Sequence, residues 1–413
     1  TQQTLDMLKA AYGAQNELAK SISTATGLVA FDLQAPAKNL YPVLTPLRNK
    51  IPRVGGRGGT ATNWRQVNAI LGSGYEAGPW VPEGQRAGRM SYDTSTKSAS
   101  YATIGEEDAL TFEARSAAQG FEDVRSTMTM RLLQKMMIKE EKAILGGNAT
   151  LKLGISATPT LSAAGSDATL PAATYSVKVV QLTFEGLVNS SIANGVATSQ
   201  TVTGADGDTF KLNGGSGMIS AGATQDVTLG QALSASVVPT QGALGYAWYV
   251  GTAGAEVLQA ITTVPSLTLS GPLLANTQPA TAITGDSSAN PDTAFDGLLS
   301  AALNPNNTAY VKNLRGAALT SSGRSSINEL DVMLKEMWDK YRLSPTVIYV
   351  NSQEQQNITN KVLNGTSGSL LRQQVNVSEQ GESIDGNVVG HHYNPITSGE
   401  GAKMPSKVHR GWA

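Results

Sequence analysis

The apolar positions change period several times along the chain, and each change marks a segment. Leu5, Leu8, Tyr12 and Leu18 recur at roughly helical spacing, then prolines follow at Pro36, Pro42, Pro46 and Pro52. Proline fixes its own φ and pushes the preceding residue toward extended backbone, so residues 1–54 read as an extended N-terminal arm. Over 55–110, GGRGG reads as a turn and TNWRQVNAI as a strand, with Trp64, Val67 and Ala69 alternating. VPEGQRAGRMSYDTSTKSASYATIGEEDALT follows, a long polar, strand-like loop with hardly an apolar cluster of its own. Over 111–149 the period becomes helical through Phe121, Val124, Met128, Leu132 and Met136, with Glu122, Arg125, Lys135, Lys139 and Lys142 on other faces. Gly146 and Gly147 stop it, and about 25 to 30 helical residues would make a rod of roughly 40 Å.

Residues 150–275 differ in composition from their neighbours: charges are sparse and Gly, Ala, Ser, Thr and Val dominate. Short runs rich in strand formers recur between turn signals, as in ATYSVKVVQLTF, DTFKLN, QDVTLG, GYAWYVG and PSLTLS. Alternation through Tyr175, Val177 and Val179, and through Trp248 and Val250, predicts one buried face per strand and an inserted all-β sandwich, with Tyr249 on the outward surface. Residues 276–413 mix amphipathic helices (FDGLLSAAL, SINELDVMLKEMWDKY), the apolar strand TVIYVN and a helix from SQEQQNITNKVL capped by Ser352. That order predicts a small α/β layer whose strand is covered on both faces.

Composition narrows the chemistry. The 413 residues are 40% hydrophobic and 15% charged, a globular balance, and 31 basic against 32 acidic residues leave no global field for nucleic acid or an anionic membrane. No cysteine is present, which removes disulfides and thiolate metal sites, and no apolar run approaches membrane-spanning length. GGRGGTA has glycines at dinucleotide-fingerprint spacing but lacks a strand before it and a helix after it. His391, His392 and His409 show no metalloprotease spacing, and neither a nucleophile elbow nor a phosphate loop occurs, so no catalytic residue, metal ligand or cofactor is assigned. Arg53, Arg57, Arg65, Arg86 and Arg89, interleaved with Trp64, Trp80 and Tyr92, fit either a single-stranded nucleic-acid groove or a protein interface. Because these segments lack a core of their own, the protein interface is the preferred reading. Glu83 lies within it, and Glu106, Glu107 and Asp108 stand before the helix, where they favour its dipole and pair with a neighbour's basic groups.

PWVPEG, the polar loop, the helix pattern ending LTFEARSAAQGFEDVRSTMTMRLLQKMMIKEEKAILGGN, and the later PTVIYVNSQEQQNI and GNVVGHHYNPITSG together resemble, in pattern and order, the major capsid protein of tailed bacteriophages. The resemblance implies an α+β Hong Kong 97-like fold: N-arm, extended β loop, long spine helix of the peripheral domain, and axial α/β domain. The block over 150–275 is similar to an immunoglobulin or fibronectin type III-like sandwich. The implied function is self-assembly, through pentamers and hexamers, into an icosahedral shell around double-stranded DNA, without sequence-specific DNA contacts or membrane. Assembly would occur in the host cytoplasm and the product would be the virion capsid. Scaffold, portal and decoration proteins are the other implied partners. The extended loop would lie over a neighbouring subunit, the arm around Arg53 and Arg57 would cross a subunit boundary, and the sandwich would project outward to bind a host glycan or a decoration protein, or to thicken the shell. A cellular encapsulin-type compartment and a bacterial surface or adhesin protein are the alternatives.

Overall fold

The structure is a computed structural model that describes residues 45–56, 58–71, 80–86, 88–119, 123–307, 309–321, 327–343, 345, 347–363, 390–394 and 402–408. Most of the expected N-terminal arm, Arg57 and His409 lie outside the described residues. The part of the arm that is described is not extended throughout, since Pro46–Lys50 forms a short helix, α1. Pro46 occupies its first helical position, where a fixed φ suits the helix and the missing N–H leaves no bond unmade.

β1 (Ala61–Leu71) and β2 (Ser91–Ser100) pair antiparallel as a two-stranded ladder. The single rod expected over 111–145 is instead two helices, α2 (Phe112–Ala117) and α3 (Val124–Gly146). Thr111 caps α2 by accepting the Ala114 N–H at 3.3 Å, and Asp123 accepts the Ser126 N–H at 3.2 Å at the head of α3. Val124, Met128, Leu132 and Met136 of the apolar period all lie in α3, whose N-terminus is set by an aspartate that binds the backbone three residues on. The 23 residues of α3 make a rod of about 35 Å. Residues 108–131 belong to one compact unit and the rest of the described chain to another.

In the larger unit, α1 is tied to α3 through two adjacent glutamates. Glu141, almost wholly buried, accepts the Leu47 N–H at 3.0 Å and the Arg48 N–H at 2.7 Å, while Leu47 buries its side chain. Glu140 accepts from Arg48 Nε at 2.6 Å and pairs with Arg53. Partial burial opposes ionisation of Glu140, yet Arg53 and Arg48 outweigh it and hold the carboxyl below its ordinary value.

The sparsely charged block contains β3 (Thr160–Ala168), β4 (Ala173–Leu182), α4 (Phe184–Asn189), β5 (Ser199–Thr203), β6 (Thr209–Asn213), β7 (Ala223–Val227), β8 (Gly230–Ser236), β9 (Gly245–Gly251), β10 (Val257–Thr262) and β11 (Ser266–Leu269). One sheet runs β10-β9-β4-β7, a second β11-β8-β3, and β5-β6 forms a separate hairpin, all antiparallel. Val177, Val179, Tyr246, Trp248 and Val250 of the first sheet share a core with Leu161, Leu233, Ala235 and Leu267 of the second. Alternation supplied this inward face correctly.

The outward face of the first sheet differs from the sequence reading. Tyr249, expected at the surface, is fully buried with Val180, Leu182, Ala247 and Leu258 against Val196, Ala280 and Ile283. Its hydroxyl donates to Gln278 Oε1 at 2.7 Å, and burial raises its pKa well above the ordinary tyrosine range. The cause lies in residues 278–283: assigned from sequence to the fourth segment, they pack instead across this face through Gln278, Ala280 and Ile283, and a strand covered on both sides has no outward aromatic.

The block leaves and rejoins the chain at one place. Gly297 N–H donates to Gly147 O at 2.8 Å, Asp296 Oδ1 accepts from the amides of Ala149 and Thr150, and Asn148 Nδ2 donates to Leu151 O and Ser288 O. A Cβ on Gly146 would fall 1.9 Å from the Phe184 ring, and one on Gly147 would fall 2.7 Å from Phe295 O, so this crossing excludes side chains. Beyond it come α5 (Leu298–Leu303), α6 (Asn328–Tyr341), β12 (Ile348–Val350), α7 (Ser352–Leu363), β13 (Gly390–Asn394) and β14 (Ala402–Val408). α6 buries Leu334, with Ile327 buried just before it, and ends at Arg342 in the left-handed conformation, its guanidinium 5.9 Å from the Trp338 ring centre. The cap of α7 is Asn351, which accepts the Glu354 N–H at 2.7 Å, one residue earlier than expected. β12 pairs parallel with β14, which pairs antiparallel with β13. β12 is only half-covered, with Tyr349 exposed, which corrects the expectation of cover on both faces. The fold is α+β, with several antiparallel sheets and few helices.

Candidate functional site

Strands normally bury at least one face, but the β1–β2 ladder buries neither. Every residue of β1 except Ala61 is exposed, as is every residue of β2 except Thr94 and Ser95. Directly opposed residues share a face, so the register sorts the side chains. Thr62, Trp64 and Gln66 lie opposite Ala99, Lys97 and Ser95 on one face; Asn63, Arg65 and Val67 lie opposite Ser98, Thr96 and Thr94 on the other. A bulge at Asn68 then shifts the count by one, so that Ile70, opposite Tyr92, joins Val67 rather than Trp64. Asn68 secures the bulge by donating to Asp93 Oδ2 at 3.2 Å and accepting from Ser95 Oγ at 3.1 Å. Val67, Ile70 and Tyr92 thus form an exposed apolar patch beside Arg65, with Ile70 at 72% and Tyr92 at 61% exposure. Sequence alternation missed this patch because the bulge leaves no compositional mark beyond one asparagine.

Beyond the ladder, Trp80 (84% exposed), Val81 and Met90 (71%) stand in solvent with Glu83, Arg86 and Arg89. Among the described residues neither Arg86 nor Arg89 forms an ion pair. Of the predicted contact residues, Trp80, Glu83, Arg86, Arg89 and Tyr92 are therefore exposed, the first four ahead of β2 and Tyr92 on it. Arg53 and Glu106 are not free in this way. Arg53 pairs with Glu140 and Glu106 with Lys139, both within the chain, and Lys139 chiefly keeps the Glu106 carboxyl below its ordinary value. Glu107 and Asp108 are exposed, and Asp108 accepts the Ala109 N–H at 2.9 Å, short of the α2 cap.

A cleft of about 710 Å³ opens at the root of the ladder, where Tyr101 N–H donates to Thr60 O at 2.9 Å. Its walls are residues 101–105, the end of α3, α4, the β5–β6 hairpin and residues 292–295. Phe184, Val188, Val202, Phe210, Leu212 and Phe295 supply apolar surface, and Phe210 and Val188 remain partly exposed. Four charged groups line it. Lys139 is held by Glu106 and Gly105 O, and Lys142 is also engaged within the chain. Burial raises the Glu185 pKa above its ordinary value, with Asn290 Nδ2 as a donor at 3.4 Å working against that rise, and Asp292 is exposed. Nothing in the sequence marked this cleft, because its walls come from five separated segments.

Among the described residues no group of three or more His, Asp or Glu is placed to hold a metal ion, and no helix is long and apolar enough to cross a membrane. His391 and His392 lie adjacent on β13. No protein-family model, curated protein or solved structure matches this chain.

Proposed function

We propose that this chain is a structural subunit that self-assembles into a closed icosahedral shell, a capsid of the Hong Kong 97-like kind, with an immunoglobulin-like sandwich inserted after the spine helix and projecting outward. The observation that carries the reading is the β1–β2 arm: a ladder of ten paired positions, exposed on both faces, that still carries Trp64, Val67, Ile70 and Tyr92. A two-stranded hairpin is at best marginally stable alone in water, and exposed apolar surface of this extent marks an interaction site. Its missing cover is supplied by other copies. α3 stiffens the wall, and the residues after Gly297 build the centres of pentamers and hexamers. Many modest contacts per subunit multiply over a symmetric surface, so no single strong site is required. Enclosed double-stranded DNA is held by confinement, in keeping with a formal net charge of -1.

Electron microscopy of the purified, expressed chain tests the reading. Closed shells of uniform diameter are expected; a chain that stays monomeric by sedimentation across protein concentration, salt and pH overturns it.

A further inference from the structure

The tip of the arm and the cleft at its root lie at opposite ends of the β1–β2 ladder. Ten paired residues at about 3.3 Å each hold the start of β2 roughly 33 Å from the root. Met90 and Arg89 lie one and two residues before Ser91, and Arg86 lies five before it, a reach of about 17 Å at most. None of the three can therefore enter the cleft of its own chain while the ladder is intact. Trp80 and Val81 stand in solvent, unseated.

The two surfaces are complementary. At the tip, Arg86 and Arg89 are cations without an ion-pair partner among the described residues, beside the exposed Met90 and Trp80. In the cleft both lysines are already engaged, so the charge left to meet a partner is that of Asp292 and Glu185, set beside the exposed edges of Phe210 and Val188.

We propose that the hairpin tip of one copy, through Arg86, Arg89 and Met90, seats in the cleft at the hairpin root of a second copy. The inference rests on the self-assembly reading above and names the surface that receives the arm. The contact is heterologous: each subunit gives a tip and accepts one, so subunits join head to tail and close as rings instead of stopping at pairs. Arg86 and Arg89 meet Asp292 at the rim, and Met90 covers Phe210 and Val188.

Charge exchange on the full-length chain tests this. A tip variant, Arg86→Glu with Arg89→Glu, and a cleft variant, Asp292→Arg, should each lower the yield of assembled particles at least about tenfold, because a change at one contact is multiplied over every copy in the particle. Combining the substitutions in one chain should restore assembly, because every reversed tip then meets a reversed cleft, and mixing the two variants should restore those rings with an even number of subunits, in which they can alternate. Misfolding would not be rescued by mixing. As a second readout, the chain has no cysteine, so Met90→Cys with Val188→Cys and a short bis-maleimide should give a ladder of cross-linked oligomers. Equal mixtures of the two single variants should give one cross-linked dimer.

Three outcomes overturn the proposal. Particle yields unchanged in both charge variants would mean the arm docks elsewhere while the shell reading stands, and a cross-link within one chain would mean the tip folds back on itself. A wild-type chain that never assembles removes the shell reading and this inference together.

Discussion

Replacing Glu141 by glutamine should release the segment around α1 without unfolding the protein. The Glu141 carboxylate is buried and accepts two backbone N–H groups, Leu47 at 3.0 Å and Arg48 at 2.7 Å. Hydrogen bonds to a charged acceptor contribute about 1.5–3 kcal/mol each. Glutamine keeps one acceptor oxygen and turns an NH2 toward the second amide, so one bond is lost and its donor faces another donor. A loss of about 2 kcal/mol raises the open population about thirty-fold, since 1.4 kcal/mol corresponds to tenfold. Amide hydrogen exchange reads this directly: Leu47 and Arg48 should exchange about thirty times faster in Glu141→Gln, while the amides of β4 and β9 keep their rates because the opening is local. Burial of the Leu47 side chain, worth about 1.5–3 kcal/mol, keeps α1 docked most of the time. Exchange at Leu47 and Arg48 within about threefold of wild type, or equal acceleration across the sandwich, would refute the reasoning.

Glu140 carries the pH dependence of the same attachment. Its folded pKa lies below the ordinary 4.5, so its contribution is complete above that value and is lost as pH falls through the lowered one. A melting series from pH 6 to pH 3 should therefore show a downward slope that Glu140→Gln flattens. Glu185 has the opposite sign, since its pKa is raised by burial and its ionisation weakens the fold as pH rises. Glu185→Gln should raise the melting temperature at pH 7 and leave it unchanged at pH 4, checked by calorimetry. Gly186→Ala would place a Cβ 2.2 Å from Gly215 O, a backbone atom that cannot swing away; a loss of about 3 kcal/mol in urea titration is expected. Tyr249→Phe should cost about 1 kcal/mol in the same titration, for one buried hydroxyl bond to Gln278, whose Oε1 keeps the Val196 N–H.

Local pattern made parts of this fold legible and concealed others. Tyr175 to Val179 and Trp248 with Val250 alternate cleanly, and their inward faces form the shared core. The reverse face of β9 was misread because its cover, Ala280 and Ile283, arrives from thirty residues downstream and leaves no trace in the strand itself. Within α3 the period of three to four persists, but Asp123 sets its start through a backbone bond that no hydrophobic count registers. On the arm, the absence of apolar clusters pointed correctly to missing internal cover. The face on which Ile70 stands depended on one bulged asparagine. Arg53 and Glu106 illustrate a general blindness: residue type gives the charge but not the partner, and both found theirs in α3.

The glycine crossing at residues 146–147 and 297 has a consequence for the chain as a string. Everything from Asn148 to Asp296 begins and ends within one backbone hydrogen bond of 2.8 Å, so the body beneath it is joined across a gap of almost no length. Closing that gap requires nothing of the excursion except that its two ends lie side by side, and lengthening it adds only logarithmically to the closure entropy. The compositional break near Thr150 lies beside this crossing. A chain joined through a short glycine linker from Gly147 to Gly297 should therefore keep the pairing of α1 with α3, read as unchanged protection of the Leu47 and Arg48 amides in hydrogen exchange.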